Sequence, residues 1–395
     1  MNIKLSTPVR CLIFTFCYSS GVVIAETKVD DFFAMSPAEL AAIPVTIATG
    51  TPKPVFQSAA VTSVITAEQI KAMGATELHE ILETVPGVHA SLQESSYDYN
   101  YSMRGIRNTA NSQVLVLLNG TRITTPFRGT LMTGLELPVE AIQRVEVIRG
   151  PGSALYGADA FAGVINIVSK KAGDINGTKA GVRAGEWGTQ SAWGQQSAHW
   201  AGWDVAGSLQ YQHTDGDGGR IINADSQTHF DDVLGTRASH APGALNTGYE
   251  TFNGHLNLQR RHWDIGLWAV DTKEGTRAGA AGALDPDGVA NGEQYLGDIR
   301  FSTEDWFDNW ELMAHASYLQ ADYLAEVQLF PDNAVLPIGA DGNIKSPFSA
   351  NPLVFFPDGV NADIGRIEKI PSFEVSSIYK GLDKHLLRLS SAFRY

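Results

Sequence analysis

Residues 141–171 read AIQRVEVIRGPGSALYGADAFAGVINIVSKK, and the rest of the chain can be placed around them. Two Val- and Ile-rich segments of strand length, 142–148 and 164–168, flank a middle that fits neither the helical nor the strand period. Gly150, Gly152, Gly157 and Gly163 punctuate that middle and permit tight turns and close backbone approach. Pro151 denies a backbone donor to any ladder there. Gly150-Pro151-Gly152 after a strand hints at a dinucleotide loop. GPGSAL lacks the third glycine, however, and leads to a strand rather than a long helix, so the dinucleotide reading is weak.

Upstream of this stretch the pattern predicts a small α+β domain over residues 61–173. Residues 61–65 read as a strand. Thr66-Ala67-Glu68-Gln69 has the form of a capping box opening a helix that Gly74 ends. Thr76 is predicted to cap a second helix through Thr84, with Leu78, Ile81, Leu82 and Val85 on one face, and Pro86-Gly87 stops it. A polar, Tyr-rich loop is expected over 91–102, then a strand at 113–118. Asn119-Gly120 is the strongest short hairpin signal. A second loop covers 124–134.

Downstream, over 174–395, helical periodicity gives way to period-two alternation. Trp203, Val205, Gly207, Leu209 and Tyr211 fall on one face, with Asp204, Ala206, Ser208, Gln210 and Gln212 on the other. Phe252, Leu256 and Leu258 oppose Asn253, His255, Asn257 and Gln259 in the same way. Apolar-out, polar-in segments about ten residues long are what a membrane barrel with a wet lumen requires. Short turns at 200–202, 261–262, 304–309 and 381–384 alternate with long polar loops at 214–249, 272–293 and 323–371. Trp200, Trp203, Trp263, Trp306 and Trp310 gather at the short-turn side, where an interfacial aromatic girdle belongs. Short turns then face the periplasm and long loops the exterior. The count is nine antiparallel transmembrane strands. That number is odd, ends on the outer side and is too small to enclose a domain, so a truncated product or fragment of a barrel of about 22 strands is expected.

The N-terminus reads as an export signal. Lys4 and Arg10 precede an apolar stretch, CLIFTFCYSSGVVIA, at 11–25, and the small and apolar residues before Glu26 suit signal-peptidase cleavage. Both cysteines, Cys11 and Cys17, lie inside it, which excludes disulfides and thiol chemistry from residues 26–395. Without residues 1–25 the 29 basic residues fall to 27 against 43 acidic ones, a net −16. An acidic chain without basic blocks argues against nucleic acid as a partner. Residues 26–60 form a tether in which Pro52 and Pro54 discourage regular structure. Its β-prone strip Ile43-Pro44-Val45-Thr46-Ile47-Ala48-Thr49 can add to a partner's sheet edge or pack on its own domain. No catalytic triad, HExxH, Walker motif or metal-ligand spacing occurs, which predicts no enzyme, no metal and no cofactor.

Three stretches together, LHEILETVPGV (78–88), YSMRGIRNTANSQVLVLLNG (101–120) and 141–171, resemble the plug domain of TonB-dependent outer-membrane receptors. The resemblance runs in register over about residues 40–175. It implies a receptor in the bacterial outer membrane, in contact with its lipid, that binds a scarce external ligand with high affinity. It also implies a TonB energy-transducing partner pulling on an N-terminal box, for which 43–49 has the position and β-character. By the same resemblance Arg104, Gly105, Arg144, Glu146, Arg149, Gly150, Pro151, Gly157, Gly163 and Asn166 hold the plug together and in the lumen. The arginines are to be met by carboxylates such as Glu146 or by acidic groups of the wall. The loops 91–101 and 124–133 correspond to outward apices, making Tyr97, Tyr99, Tyr101, Arg107, Phe127 and Arg128 candidate ligand contacts. Tyr and Arg suit an iron complex, a ferric siderophore or haem. Cobalamin and carbohydrate are the other ligands, and a receptor-like surface protein without transport is the alternative. A passive porin would lack the plug.

Overall fold

Val114–Leu118 is apolar at all five positions and buried at all five, as a strand covered on both faces must be. The structure is a computed structural model and describes residues 44–45, 53–54, 61–92, 99–106, 113–125, 129, 131, 137–152, 156–277, 279–303, 306–382 and 385–395.

In the tether, β1 (Pro44–Val45) pairs antiparallel with β2 (Lys53–Pro54). The expectation of irregular backbone at Pro54 therefore fails, since a two-residue ladder can carry a proline at its margin. Ile43 and residues 46–49 of the predicted docking strip lie outside the described residues, as does the predicted signal segment.

The α+β domain starts with β3 (Thr62–Thr66) and α1 (Ala67–Met73). Thr66 and Gln69 form the predicted reciprocal capping box, and Gly74 ends the helix at φ 70°. The second helix, α2 (Leu78–Glu83), is capped at Glu77, not Thr76. Glu80 is the reason: its carboxylate reaches back to accept from the N–H groups of Thr76 and Glu77 at 2.6 and 3.2 Å, drawing both residues into the cap. Next come β4 (Val88–Leu92) and β5 (Tyr99–Met103), paired antiparallel, so the predicted loop over 91–102 is in part a hairpin. The chain continues through β6 (Val114–Leu118), β7 (Thr121–Arg122), β8 (Ile142–Arg149) and β9 (Gly163–Ser169). These last four and β3 make a mixed sheet in the order β3-β8-β9-β6-β7, in which β6 and β9 run parallel.

The larger sheet begins with β10 (Thr178–Ala184), β11 (Gln190–Trp200) and β12 (Trp203–Thr214). The connection that follows folds into β13 (Ile221–Ile222), α3 (Ser226–Leu234) and β14 (Gly243–Ala244). The sheet resumes with β15 (Tyr249–Arg260), β16 (Trp263–Gly275), β17 (Val289–Ser302) and β18 (Trp310–Phe330). A hairpin of β19 (Ala334–Pro337) and β20 (Leu353–Phe356) precedes β21 (Val360–Leu382) and β22 (His385–Arg394). Among the described residues nine strands pair antiparallel, each with its sequence neighbour in the sheet, from β10 to β22. The predicted strand count and alternation of short turns with long loops hold. Two of the long connections are shorter than expected. β18 and β21 run for 21 and 23 residues and pair out to Phe330 and Val360, which shrinks the last long loop to 331–359. No helix among the described residues is long and apolar enough to cross a membrane, a criterion that does not bear on strands.

The inward face is not uniformly polar. Trp268, Val270, Leu296, Leu319, Ala321 and Ile370 turn inward and join one buried cluster with Ile70, Leu82, Met103, Val116 and Val145 of the α+β domain. The wall is apolar where that domain presses on it and polar elsewhere, because only the covered part is shielded from water.

Candidate functional site

The site grows from the Asn119-Gly120 turn. Both residues have positive φ, 50° and 82°, the geometry of a two-residue hairpin whose twist matches its strands. Asn119 then locks the turn to β9. Its Nδ2 donates to Ser169 Oγ at 2.8 Å, and its Oδ1 accepts from the Ser169 N–H at 2.9 Å. Asn166, three positions before Ser169 on β9, accepts from the Gly120 N–H at 2.8 Å and donates to Glu146 Oε2 at 3.2 Å. Arg144 reaches Glu146 Oε1 through both Nε and Nη2 at 2.8 Å. Glu146 is wholly buried, and a buried carboxylate is tolerable only with such partners. Arg144, Glu146 and Asn166 are thus brought together in one hydrogen-bonded network.

The other predicted structural residues divide. Among the described residues Arg149 meets no carboxylate. It donates to the Pro86 carbonyl at 2.7 Å and to Ser63 Oγ at 3.0 Å, tying β3 to the end of α2. Arg104 is exposed and sits at φ 52°, followed by Gly105 at φ 77°. Gly150 and Gly157 use left-handed backbone at φ 150° and 84°, with Pro151 exposed between Gly150 and Gly152. Gly163 answers to space instead: a Cβ there would lie 2.1 Å from Met103 Sδ and 2.4 Å from the Ile148 carbonyl oxygen.

Of the candidate ligand contacts, Tyr97, Arg107, Phe127 and Arg128 lie outside the described residues. Tyr101 is 1% exposed and belongs to the core, which leaves its ring no face for an external molecule. Tyr99, two positions away in β5 and therefore on the same face, sits at the margin of that core. Tyr99 stacks on His79 with ring centroids 4.1 Å apart, and its hydroxyl lies 3.2 Å from His79 Nε2. His79 Nδ1 is 3.1 Å from Glu77 Oε2, and the Tyr249 hydroxyl of the wall donates to Glu77 Oε1 at 3.3 Å. Burial pushes the Glu77 carboxyl up, but the hydrogen bond and charge of His79, the Tyr249 hydroxyl and Arg277 outweigh it and hold it below its usual value. Glu77, Tyr99, Tyr249 and Arg277 line a crevice of about 100 Å³ at the long-loop end, together with Gln210, Gln212, Thr251, Asn253 and Glu274. No spacing in the sequence pairs residue 77 with residue 249, so this junction was not readable from it.

Polar pins fasten the α+β domain to the wall. Lys171 Nζ meets Asp264 Oδ2 at 2.6 Å, and Arg183 Nη2 meets Glu140 Oε1 at 2.8 Å. Arg300 donates to Thr121 Oγ1 at 2.6 Å, just past the Asn-Gly turn, and His315 Nε2 is 3.2 Å from the same hydroxyl. A cavity of about 810 Å³ lies beside these pins at the short-turn end, lined by Arg144, Lys171, Arg300 and His315 among others.

The long connections are folded together. Phe230 on α3, Ala283, Phe330, Ala334 and Leu336 share a core drawn from three of them. Asp231 accepts from Ala238 N, Ser239 N, Thr236 Oγ1 and Gln227 Nε2, and Asp225 from Thr228 N, Ser239 Oγ and Leu284 N of the next connection. Those hydrogen bonds outweigh burial and hold both carboxyls below the usual range.

Residues 54–164 match the family described as TonB-dependent Receptor Plug Domain. A curated relative, the vitamin B12 transporter of Vibrio vulnificus, is 38% identical over 133 residues, which are 34% of this chain and 21% of the relative. Among solved structures, the ferric yersiniabactin uptake receptor of Yersinia pestis superposes with a TM-score of 0.56 at 16% identity, covering 84% of this chain and 48% of that one. A copper transporter does so with a TM-score of 0.55 at 16% identity, covering 84% and 47%. The chain therefore spans about half the length of these structures, and at such identity the likeness is one of fold.

Proposed function

The chain carries the plug of a TonB-dependent receptor and part of the barrel around it, and from that premise we propose that it serves energised uptake of a scarce ligand across the bacterial outer membrane. The observation that carries this reading is the unbroken core shared by plug and wall. A domain so seated blocks the lumen that a complete barrel encloses, and cargo then passes only when the plug is displaced or rearranged. The ligand enters at the long-loop crevice, where Tyr99 and Glu77 of the plug face Tyr249, Gln212 and Asn253 of the wall. The strip 43–49 is the handle: an extended peptide on a tether adds to a partner's sheet edge and transmits force through backbone hydrogen bonds. TonB is that partner. The cargo is an organic chelate or corrinoid, with iron complexes and cobalamin as the two leading chemistries. The protein does no covalent chemistry on it.

The test is deletion of residues 43–49 in the full-length encoded protein, followed by separate measurement of surface binding and energised accumulation of radiolabelled cyanocobalamin and ferric chelates. Binding is expected to survive while accumulation falls to the level seen without a proton-motive force. Accumulation unchanged by the deletion would defeat the assignment of the handle. Binding without accumulation in the undeleted protein would favour the receptor-like surface protein that does not transport.

A further inference from the structure

We propose that the ligand admitted at the long-loop crevice is neutral or positively charged, and that this end of the molecule rejects anionic chelates by charge. The inference rests on the reading of that crevice as the ligand entrance, and three separate observations carry it.

The first is the charge of the connections at that end. Residues 185–189, 215–248, 276–288 and 331–359 hold eleven Asp and Glu against four Lys and Arg. Their surplus of −7 is half the chain's net −14, carried by 81 of its 395 residues. The plug segments 91–112 and 124–136 contribute three Arg and three acidic residues, so they leave that surplus as it stands.

The second is the lining of the crevice. Its polar groups are mostly uncharged: Thr76, Gln210, Gln212, Tyr249, Thr251 and Asn253. Its charged residues are Glu77, Glu274 and Arg277, two acids to one base. An anionic chelate is held by guanidinium or ammonium groups that are not already facing carboxylates, since each charge-assisted bond must outweigh the desolvation of both partners. Higher on the wall the same rule operates, where Arg366 Nε is 3.2 Å from Glu368 Oε1. Amide and hydroxyl groups, by contrast, match the donors and acceptors of an uncharged polar ligand one for one.

The third is the contrast with the opposite end. The short-turn cavity is lined by six Lys and Arg against four Asp and Glu. Positive groups are not scarce in this lumen; six line the short-turn cavity and one lines the entrance crevice. Clefts lined by one sign of charge change encounter rates by about 10- to 1,000-fold, and the effect reaches about 8 Å in physiological salt.

The test reads the potential in the crevice without needing the ligand. Residues 26–395 contain no cysteine, so Gln212→Cys, made in full-length protein freed of any other cysteine, gives one thiol in the crevice. Its modification rates by a cationic and an anionic methanethiosulfonate are compared in outer-membrane vesicles, each normalised to the same reagent acting on a small free thiol. The cationic-to-anionic ratio is expected to exceed unity by about tenfold at low ionic strength and to shrink in high salt. A normalised ratio at or below unity overturns the proposal. Thr251→Cys is the second position, should Gln212→Cys fail to assemble. Because this ratio does not depend on uptake, loss of the transport reading in the deletion test and loss of the charge inference here are separate results. Equilibrium binding adds a second reading: cyanocobalamin or the cationic complex ferrioxamine B bound more tightly than ferric enterobactin supports the inference, and ferric enterobactin bound most tightly overturns it.

Discussion

Asn166 and Glu146 meet across the antiparallel pair β8 and β9, the amide Nδ2 donating to the fully buried carboxylate at 3.2 Å. This contact links the hairpin turn at Gly120 to Arg144, two positions from Glu146 on the same face of β8. Replacing the carboxylate by Glu146→Leu strands a half-buried guanidinium and an amide donor, at a cost of about 3–5 kcal/mol. Asn166→Ala removes one acceptor and one donor, at about 1–3 kcal/mol. Hydrogen exchange of amides 142–149 and 163–169 is the measurement. Glu146→Leu should accelerate both strands by more than Asn166→Ala, and equal protection in the two variants would contradict the network.

Gly163 makes a steric prediction with its own control. Gly163→Ala drives a methyl group into Met103 Sδ and the Ile148 carbonyl, and overpacking of that kind costs about 1–3 kcal/mol. Met103→Ala removes the sulfur but leaves the carbonyl oxygen 2.4 Å away and opens a core cavity of its own, so the double variant should lose less than the sum of the two single losses without regaining the parent's stability. Gly173→Ala meets nothing within 4 Å and has ordinary backbone, and should melt like the parent. Thermal unfolding followed by exchange of β9 amides ranks the three.

Acid should open the long-loop cap before the sheet. Asp225 and Asp231 are held below their ordinary value of 3.8 in the folded protein. A depressed folded value means the stabilisation is complete above the unfolded value and disappears as pH falls through the folded one. Protease cleavage within 226–239 should therefore be flat from neutral pH down to about 4 and rise below it. Asp231→Asn, which leaves one acceptor oxygen where Gln227, Thr236, Ala238 and Ser239 share two, should raise cleavage at neutral pH and blunt that rise. A cleavage rate that climbs between pH 7 and 5 would point to other groups.

Tryptophan should report the depth of the short-turn end. Trp200, Trp263, Trp306 and Trp310 are all at least 44% exposed and sit beside the short turns. Tryptophans at that level of a bilayer lie near the headgroups. Lipids brominated near the headgroup should quench their fluorescence more than lipids brominated near the chain end. The reverse order would place this end of the sheet in the hydrocarbon.

How much of this was legible depended on whether a residue's partner lay nearby in sequence. Period-two alternation around Ser208 and Asn257 is local, so nine strands and their turns could be counted. The capping box at Thr66 and the turn at Asn119-Gly120 are local too. Thr76 misled because Glu80 competes for the same cap. Trp268 and Leu296 break the polar-inside pattern for a reason found only in the plug they cover. Tyr101 looked like an apical residue because loop and strand are equally polar over 91–102, and pairing with Ala90 decides which it is. The Glu77–Tyr249 contact spans 172 positions and follows no local rule.

The core that Phe230 shares with Ala283 and Leu336 has an immunological consequence. An immune system meeting this surface sees one composite epitope rather than three loops. Antibodies raised on any single loop as a linear peptide should bind the native protein poorly, whereas those raised on folded protein should lose recognition when Phe230 alone is replaced by a polar residue.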